Sequence, residues 1–152
     1  MLALWGYEDA RTASPTARFF YENISAGNAF FWTLDVQGNL IGELYAFFAL
    51  EDGAFANGES TAYLCAFRVK REYRGQGYGT RLMTAVLSEL KERGFTRATI
   101  GVSPDEPQNL RLYRRLGFTD KIKACHCDPC AMDADMRPVY DEKGFVLLAK
   151  RL

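Results

Sequence analysis

The chain has 152 residues, of which 48% are hydrophobic and 25% are charged, and its formal net charge is zero. This length and composition are ordinary for one globular domain with a sizeable core, so we treat residues 1–152 as a single domain and exclude wholesale disorder. The neutral charge offers no general attraction to nucleic acid or to an anionic membrane, and we expect neither partner. No apolar run is long enough to span a bilayer and no secretory leader is evident, so we expect a cytoplasmic protein with reduced cysteines.

The first half of the chain predicts one helix followed by three strands. Pro15 suits the first turn of a helix, with Ser14 as its N-cap. Aromatic and β-branched residues then predict a hairpin of strands Ala29–Val36 and Leu40–Leu50, followed by a loop and a third strand over Thr61–Val69. Both faces of the third strand are apolar, which is typical of a central strand covered on two sides. Strict alternation places Thr61, Tyr63, Cys65, Phe67 and Val69 on one face and Ala62, Leu64 and Ala66 on the other.

The second half predicts alternating helices and strands. A glycine-rich segment, Arg74–Thr80, leads into a helix with apolar residues at helical spacing, which Gly94 ends. Beyond it we predict a strand over Thr96–Val102, a short helix over Pro107–Arg115, a strand starting at Gly117-Phe118 and a last strand over Gly144–Lys150. A hairpin followed by this alternation predicts a mixed α/β domain whose third and fourth strands are parallel.

Three alternating glycines, Gly75, Gly77 and Gly79, lie between the third strand and its helix. Glycine permits positive φ and close approach of another group, and a helix N-terminus offers unpaired N–H groups and a partial positive charge. Together they predict a site for a phosphate or pyrophosphate, to which Arg74 and Arg81 could add charge-assisted hydrogen bonds. No Gly-Lys-Ser/Thr follows, which excludes the NTPase phosphate loop, and the glycine spacing does not fit the dinucleotide-binding fingerprint.

Two segments resemble the signature motifs of the GNAT N-acetyltransferases. The first, Phe67-Arg68-Val69-Lys70-Arg71-Glu72-Tyr73-Arg74-Gly75-Gln76-Gly77-Tyr78-Gly79, is similar to the family's coenzyme A loop, Arg/Gln-x-x-Gly-x-Gly/Ala after a strand. The second, Asn109-Leu110-Arg111-Leu112-Tyr113-Arg114-Arg115-Leu116-Gly117-Phe118, is similar to the family's second signature, shortened between Asn109 and Tyr113. The motifs occur in the family's order, and the resemblance covers Ala29 to Phe118.

This resemblance implies a GNAT-type acyl-CoA N-acyltransferase fold in which acetyl-CoA lies between two parallel strands that splay apart, here Thr61–Val69 and Thr96–Val102. The family usually opens with a strand and two helices, so the short stretch before Ala29 implies either a reduced N-terminal lobe or a chain that starts late. The implied cofactor-binding residues are Phe67, Arg68 and Val69 for the pantetheine arm, Arg74, Gly75, Gln76, Gly77, Tyr78, Gly79 and Thr80 for the pyrophosphate, and Asn109 and Tyr113 beside them.

The implied reaction is direct attack of an amine on the thioester, without a covalent enzyme intermediate. Tyr113 matches the family position of the general acid that protonates the departing thiolate. The acceptor ammonium must also lose a proton before it attacks. Glu43 is the predicted base, Tyr63 and His126 are weaker candidates, and a water chain is an alternative. The sequence therefore predicts an N-acetyltransferase for an amine of a small molecule or protein; the alternative is a non-catalytic module that senses acetyl-CoA.

A cluster of three cysteines, Cys125, Cys127 and Cys130, surrounds His126 within six residues. Thiolates and imidazole are zinc ligands, but closed sites take four ligands, often as two separated pairs, and no second pair occurs here. We therefore expect no metal, and we predict a turn with reduced thiols and with Asp128-Pro129 as its bend. A metal or redox protein built on this cluster is the less favoured alternative.

Exposed sheet edges make a homodimer a further expectation. The apolar stretches Phe30–Trp32 and Tyr45–Leu50 are the predicted interface, with core packing as the alternative explanation for both.

Overall fold

A computed structural model describes residues 1–152 and shows a mixed sheet with helices on both faces. The strands are β1 (Ala29–Val36), β2 (Asn39–Phe47), β3 (Thr61–Val69), β4 (Arg97–Val102), β5 (Asp120–Met132) and β6 (Pro138–Arg151), and the α-helices are α1 (Pro15–Ser25), α2 (Tyr78–Glu92) and α3 (Pro107–Arg115). The six strands lie in the order β1-β2-β3-β4-β6-β5. The predicted mixed α/β fold is confirmed, and no helix has the length and apolarity needed to cross a membrane.

The N-terminal segment contains one α-helix and no strand. Ahead of β1 the chain forms two short 3-10 turns, Ala3–Trp5 and Ala10–Thr12, and the single helix α1. Pro15 begins α1, and the Ser14 side chain caps it by accepting a hydrogen bond from the backbone N–H of Ala17 at 3.2 Å. The strand and second helix with which the family usually opens do not occur between Met1 and β1.

The prediction of a turn at Cys125–Cys130 is wrong, because this segment lies inside β5. Pro129 has no N–H to donate, but β5 is an edge strand, where proline is tolerated, and its register with β6 shifts there. The turn lies further along, at 133–137, where the Asp133 carboxylate accepts hydrogen bonds from the backbone N–H groups of Asp135 and Arg137. The long β5–β6 hairpin therefore extends over the α1 side of the sheet, where α1 packs against β5.

Two apolar layers cover the sheet, and a bulge in β3 changes which of them Phe67 joins. Ala62 and Leu64 face the core formed with α2 and α3, whereas Tyr63 and Cys65 face the core formed with α1. Strict alternation fails at Ala66, whose φ of 49° marks an irregularity opposite β2. Because of this extra residue, Phe67 packs on the α2 side and Ala66 on the α1 side, which corrects the predicted faces.

The parallel strands β3 and β4 separate beyond their first four residue pairs. Pairing runs from Thr61 opposite Arg97 to Leu64 opposite Ile100 and then stops. The predicted parallel pairing is confirmed, and the second half of β3 leaves its backbone on the β4 side without a strand partner. This gap opens beside the segment that leads to the glycine turn.

Candidate active site

The glycine turn joins β3 to α2 through backbone conformations that require glycine. Gly77 is the N-cap of α2 and has a φ of 85°, in the left-handed region. Gly79 is the second residue of α2, where a Cβ would come within 3.1 Å of the Phe67 ring. The glycine turn therefore packs so closely against Phe67 of β3 that a larger side chain at Gly79 would displace the ring.

The backbone N–H groups of Gly75 to Thr80 have no acceptor within the chain. The first N–H of this region to find one belongs to Arg81, which donates to the Gly77 carbonyl at 3.0 Å. Gly75, Gln76 and Gly77 are also exposed. A run of free donors at the positive end of a helix dipole is a binding site for an anion.

Side chains of the turn hold it against β3. The Arg74 Nε donates to the Val69 carbonyl at 2.9 Å, and the Gln76 amide donates to the Glu72 carbonyl at 3.1 Å. The Arg74 guanidinium is exposed, so its remaining N–H groups are free for a ligand. Its positive charge therefore lies beside the free backbone donors.

Tyr113 of α3 lies next to Phe67, which in turn contacts the glycine turn. The Tyr113 and Phe67 rings are 6.4 Å apart between centroids. Tyr113 is only 6% exposed, and its hydroxyl makes no hydrogen bond within the chain, yet its oxygen is not sealed from solvent. Burial raises the pKa of Tyr113 to about 12, with a further contribution from the Glu106 carboxylate. The hydroxyl is therefore protonated at neutral pH and available as a donor.

Asn109 lies in the first turn of the same helix. It is half-buried, its backbone N–H donates to the Glu106 carbonyl at 3.0 Å, and its side-chain amide makes no hydrogen bond within the chain. The side chain is therefore free to contact a ligand.

Glu43 lies on the opposite, α1 side of the sheet and is heavily engaged. One oxygen accepts hydrogen bonds from the Tyr45 hydroxyl at 2.8 Å and from the Trp5 indole at 3.3 Å, and the other pairs with Arg68 at 3.2 Å. The Arg68 guanidinium also lies 4.9 Å from the centre of the Trp5 ring. This network ties the N-terminal segment to β2 and β3, and it directs the Arg68 side chain away from the glycine turn.

The amino-acid sequence of the chain matches the sequence model of a known protein family. The model described as the acetyltransferase (GNAT) family matches residues 2–118. The chain belongs to the GNAT acetyltransferase family. This match confirms the resemblance to the GNAT family that the coenzyme A loop and the second signature predict.

Two curated GNAT relatives match short parts of the chain. N-alpha-acetyltransferase 30 of Schizosaccharomyces pombe is 36% identical over 56 residues, 37% of this chain and 37% of that protein. Mycothiol acetyltransferase of Corynebacterium aurimucosum is 38% identical over 56 residues, 37% of this chain and 18% of that protein. The matches thus span less than half the length of each relative.

Solved GNAT structures share the fold. A GNAT family acetyltransferase of Elizabethkingia anophelis with acetyl-CoA bound has a TM-score of 0.66 at 18% identity, over 92% of this chain and 86% of that one. The PaiA N-acetyltransferase of Thermoplasma acidophilum in complex with coenzyme A has a TM-score of 0.61 at 16% identity, over 89% and 68% of the two chains. At these identities the likeness shows that this chain shares their fold.

The fold brings most of the predicted GNAT site residues together and separates others. The glycine turn, Phe67 and Tyr113 are linked on the α2 side, whereas Glu43 and the Arg68 side chain lie on the α1 side. His126 is exposed, stacks on Tyr140 and bonds to the Asp141 carbonyl at 3.0 Å, on the outside of the β5–β6 hairpin.

No sequence motif marks the positions that Trp5 and Asp128 take in the structure. The N-terminal Trp5, which bonds to Glu43 and Tyr45, had no motif to mark it. The sequence predicts Asp128 only as part of a bend, but it is a half-buried carboxylate within β5. Its place follows from the path of the β5–β6 hairpin, and no local pattern encodes that path.

Proposed function

We propose that this chain is an N-acetyltransferase that moves an acetyl group from acetyl-CoA to an amine. The observation that carries the proposal is the run of free N–H groups from Gly75 to Thr80 at the head of α2, directly beside the gap between β3 and β4. An anion-binding turn next to an unpaired strand backbone suits a donor with a pyrophosphate and an extended amide-rich arm.

In this proposal each part of the donor has its own partners. The free amides of the glycine turn and the Arg74 guanidinium bind the pyrophosphate, and the Asn109 amide adds a hydrogen bond. The unpaired backbone of Phe67, Arg68 and Val69 binds the pantetheine arm as an added strand would. An N–H of this segment polarises the thioester carbonyl.

The chemistry needs one acid at the leaving group. A neutral amine attacks the carbonyl carbon, a C–N bond forms and the C–S bond breaks, and Tyr113 gives its proton to the departing thiolate. The nitrogen loses its second proton as the intermediate collapses, and that proton restores Tyr113. The products are an N-acetyl amide and the free thiol of coenzyme A.

The acceptor is an amine of a small molecule or of a protein. The names of the relatives suggest classes to screen: N-alpha-acetyltransferase 30 suggests peptide α-amines, and the spermidine N-acetyltransferase of Vibrio cholerae, a fold neighbour, suggests polyamines. The role of Glu43 as the base stays a prediction. A Glu43→Gln variant that kept its full rate would exclude it.

The first experiment is calorimetric titration of the protein with acetyl-CoA, with NADH and ATP as controls, followed by thiol release with peptide and polyamine acceptors. Selective binding of acetyl-CoA and turnover of an amine are expected. Binding without turnover of any amine would favour the sensing module instead, and no binding would refute the proposed donor site.

Two further features belong to this proposal. All four cysteines are unpaired, which suits a reducing compartment such as the cytoplasm. A homodimer would use the edge strand β1, where Phe30 is exposed, because Tyr45, Ala46 and Phe47 of the other predicted interface stretch, Tyr45–Leu50, are buried in the core. Sedimentation of the purified protein tests the dimer, and a single monomer species would contradict it.

A further inference from the structure

A guanidinium group is held in a fixed orientation on the α1 side of the sheet. The Arg68 Nη1 donates to a Glu43 carboxylate oxygen at 3.2 Å, and the Arg68 Cζ lies over the Trp5 ring, 4.9 Å from its centre. The Trp5 indole is itself fixed, because its N–H donates to the Tyr45 hydroxyl at 2.9 Å. An ion pair at one edge and an aromatic face against the plane together orient the guanidinium.

The rest of the Arg68 guanidinium is free to bind a ligand. A guanidinium carries several N–H donors, and the bond to Glu43 is the only hydrogen bond that the Arg68 side chain makes within the chain. The Arg68 side chain is 59% exposed, against 14% for that of Glu43. The unused donors form a planar fork that fits a carboxylate with two parallel hydrogen bonds.

Strand register places this guanidinium beside the gap between β3 and β4. Across β2 and β3, Glu43 pairs with Arg68 and Tyr45 pairs with Cys65. Pairing between β3 and β4 stops at the residue before Cys65. The side chains that hold the guanidinium therefore lie over the part of β3 whose other edge is unpaired. The gap is about one strand spacing, roughly 4.8 Å, away from β3.

A cavity of about 240 Å³ lies against the same guanidinium. Glu43, Arg68 and Lys70 line it, and so does Leu4 of the N-terminal segment. Lys70 is exposed and forms no ion pair. These two cations and one carboxylate are the charged groups of the cavity, so its net charge is positive and it favours a small anionic group.

We propose that Arg68, assisted by Lys70, binds a carboxylate of the acceptor, so that the preferred acceptor is an amine that carries a carboxylate close by. This inference rests on the proposed acetyl transfer and narrows its acceptor. The carboxylate accepts two hydrogen bonds from the free part of the Arg68 guanidinium, and the amine extends over β3 toward the thioester in the gap. Two sources carry this chemistry: a free amino acid, and a peptide with an acidic residue next to its α-amine.

The same charges disfavour a polyamine. A second ammonium of the acceptor would lie near Arg68 and Lys70, and like charges at close range repel. Glu43, the one carboxylate that lines the cavity, already pairs with Arg68. Of the acceptor classes to screen, the inference therefore favours α-amines with a neighbouring carboxylate over spermidine.

The test compares matched acceptors in the full chain, with acetyl-CoA as donor. Two tetrapeptide amides differ only in glutamate or glutamine at the second position, so their α-amines have a similar pKa. Alanine and alaninamide form a second pair, which distinguishes a free amino acid from a peptide as the source. The measured value is the ratio of kcat/KM within each pair. Because both acceptors of a pair meet the same protein, differences in donor binding cancel from the ratio.

Arg68→Gln should lower this ratio at least about 10-fold for the pair whose carboxylate reaches Arg68, mainly through KM. Arg68→Lys keeps the charge without the planar fork and should retain part of the ratio. Lys70→Gln should lower it by a smaller factor. It also keeps the inference testable if Arg68→Gln does not fold, because Lys70 pairs with no acidic side chain.

Trp5 acts in this inference as a positioning residue, since it orients Arg68 and does not itself bind the acceptor. Trp5→Leu should therefore lower the ratio, whereas Trp5→Phe keeps an aromatic face and should restore part of it. Added salt should also shrink the wild-type ratio, because it screens exposed charges.

A matched control separates a local effect from a general loss of positive charge. Arg151→Gln makes the same change at an exposed arginine of β6. Arg151 pairs with Arg97, which pairs with Thr61 at the start of β3, so it lies at the other end of the sheet from the cavity. This variant should keep the wild-type ratio.

The outcomes distinguish this inference from the proposed function. A wild-type ratio for both pairs in Arg68→Gln would overturn the inference, and so would an equal fall in Arg151→Gln. A wild-type protein that acetylates spermidine better than every carboxylate-bearing probe would refute the acceptor class alone and would agree with the proposed acetyl transfer. A wild-type protein that acetylates none of the probes would contradict the proposed function, and this inference with it.

Discussion

At the scale of single residues, Tyr113 combines an apolar setting with an unpartnered hydroxyl. Burial raises its pKa to about 12, so the group stays protonated through the neutral range and remains available as an acid as pH rises. A donor with this pKa does not lose its proton to water, but it can pass it to a thiolate that forms in contact with it.

We expect Tyr113→Phe to lower kcat by about 10²-fold, because the departing thiolate loses its proton donor. The ring packing against Phe67 and Phe118 is kept, so the affinity for acetyl-CoA should change little. Thiol-release kinetics and calorimetry measure the two quantities. An unchanged kcat would remove Tyr113 as the acid, and a large loss of affinity would indicate a binding role instead.

Gly77 offers a second test at this scale. Gly77→Glu should abolish acetyl-CoA binding, because a carboxylate at the N-terminus of α2 repels a pyrophosphate. Gly94→Glu is a matched control: Gly94 also has a positive φ, 96° against 85°, and no heavy atom lies within 4 Å of a Cβ at either position. Both variants carry a similar backbone strain, so equal loss of binding in the two would contradict the glycine-turn assignment.

At the scale of elements, the bulge in β3 aligns the site. Without the extra residue at Ala66, strict alternation would turn Phe67 to the α1 side and away from both Gly79 and Tyr113. The bulge also coincides with the end of pairing between β3 and β4. One backbone irregularity therefore both orients Phe67 and leaves strand backbone free.

We expect Ala66→Val to destabilise the fold by about 1–3 kcal/mol, because a β-branched side chain resists positive φ. It should also raise the KM for acetyl-CoA, whereas Ala66→Gly should be close to neutral. Ala124→Val, at an exposed position of β5, is the control and should stay within about 0.5 kcal/mol. Urea unfolding measures the stabilities, and equal effects at positions 66 and 124 would argue against a strained bulge.

At the scale of the whole molecule, the gap between β3 and β4 lies in a sheet whose two faces carry different groups. The glycine turn and Tyr113 lie on the α2 side, and Tyr63 and a cavity between α1, the loop after β2 and the β5–β6 hairpin lie on the α1 side. A donor and an acceptor that enter from opposite faces can meet at the thioester without competing for the same surface. The arrangement suits direct transfer, which needs both substrates bound together.

Ligand binding to the folded chain should raise its thermal stability. At a concentration of 100 times its Kd, acetyl-CoA should add about 2.7 kcal/mol to the free energy of unfolding. For a domain of this size that corresponds to about 5–10 °C in Tm, measured by differential scanning fluorimetry. NADH should give no shift, and neither should acetyl-CoA with Gly77→Glu. A similar shift with NADH would mean that the turn binds phosphates without selecting coenzyme A.

The amino-acid sequence by itself determined the mixed α/β class, the bounds of β1, β3 and α3, the glycine turn and the match of Tyr113 to the family's acid. These features are local: periodicity, capping and glycine depend on neighbours within a turn or a strand. Family membership followed from two such local motifs in order.

Only the tertiary structure decided the rest. The bulge at Ala66 depends on how β3 pairs with two different strands, and the path of Cys125–Cys130 depends on its place at a sheet edge that tolerates Pro129. The pairing of Glu43 with Arg68 joins residues 25 positions apart. Such contacts form when distant strands are packed together, and no local pattern along the chain records them.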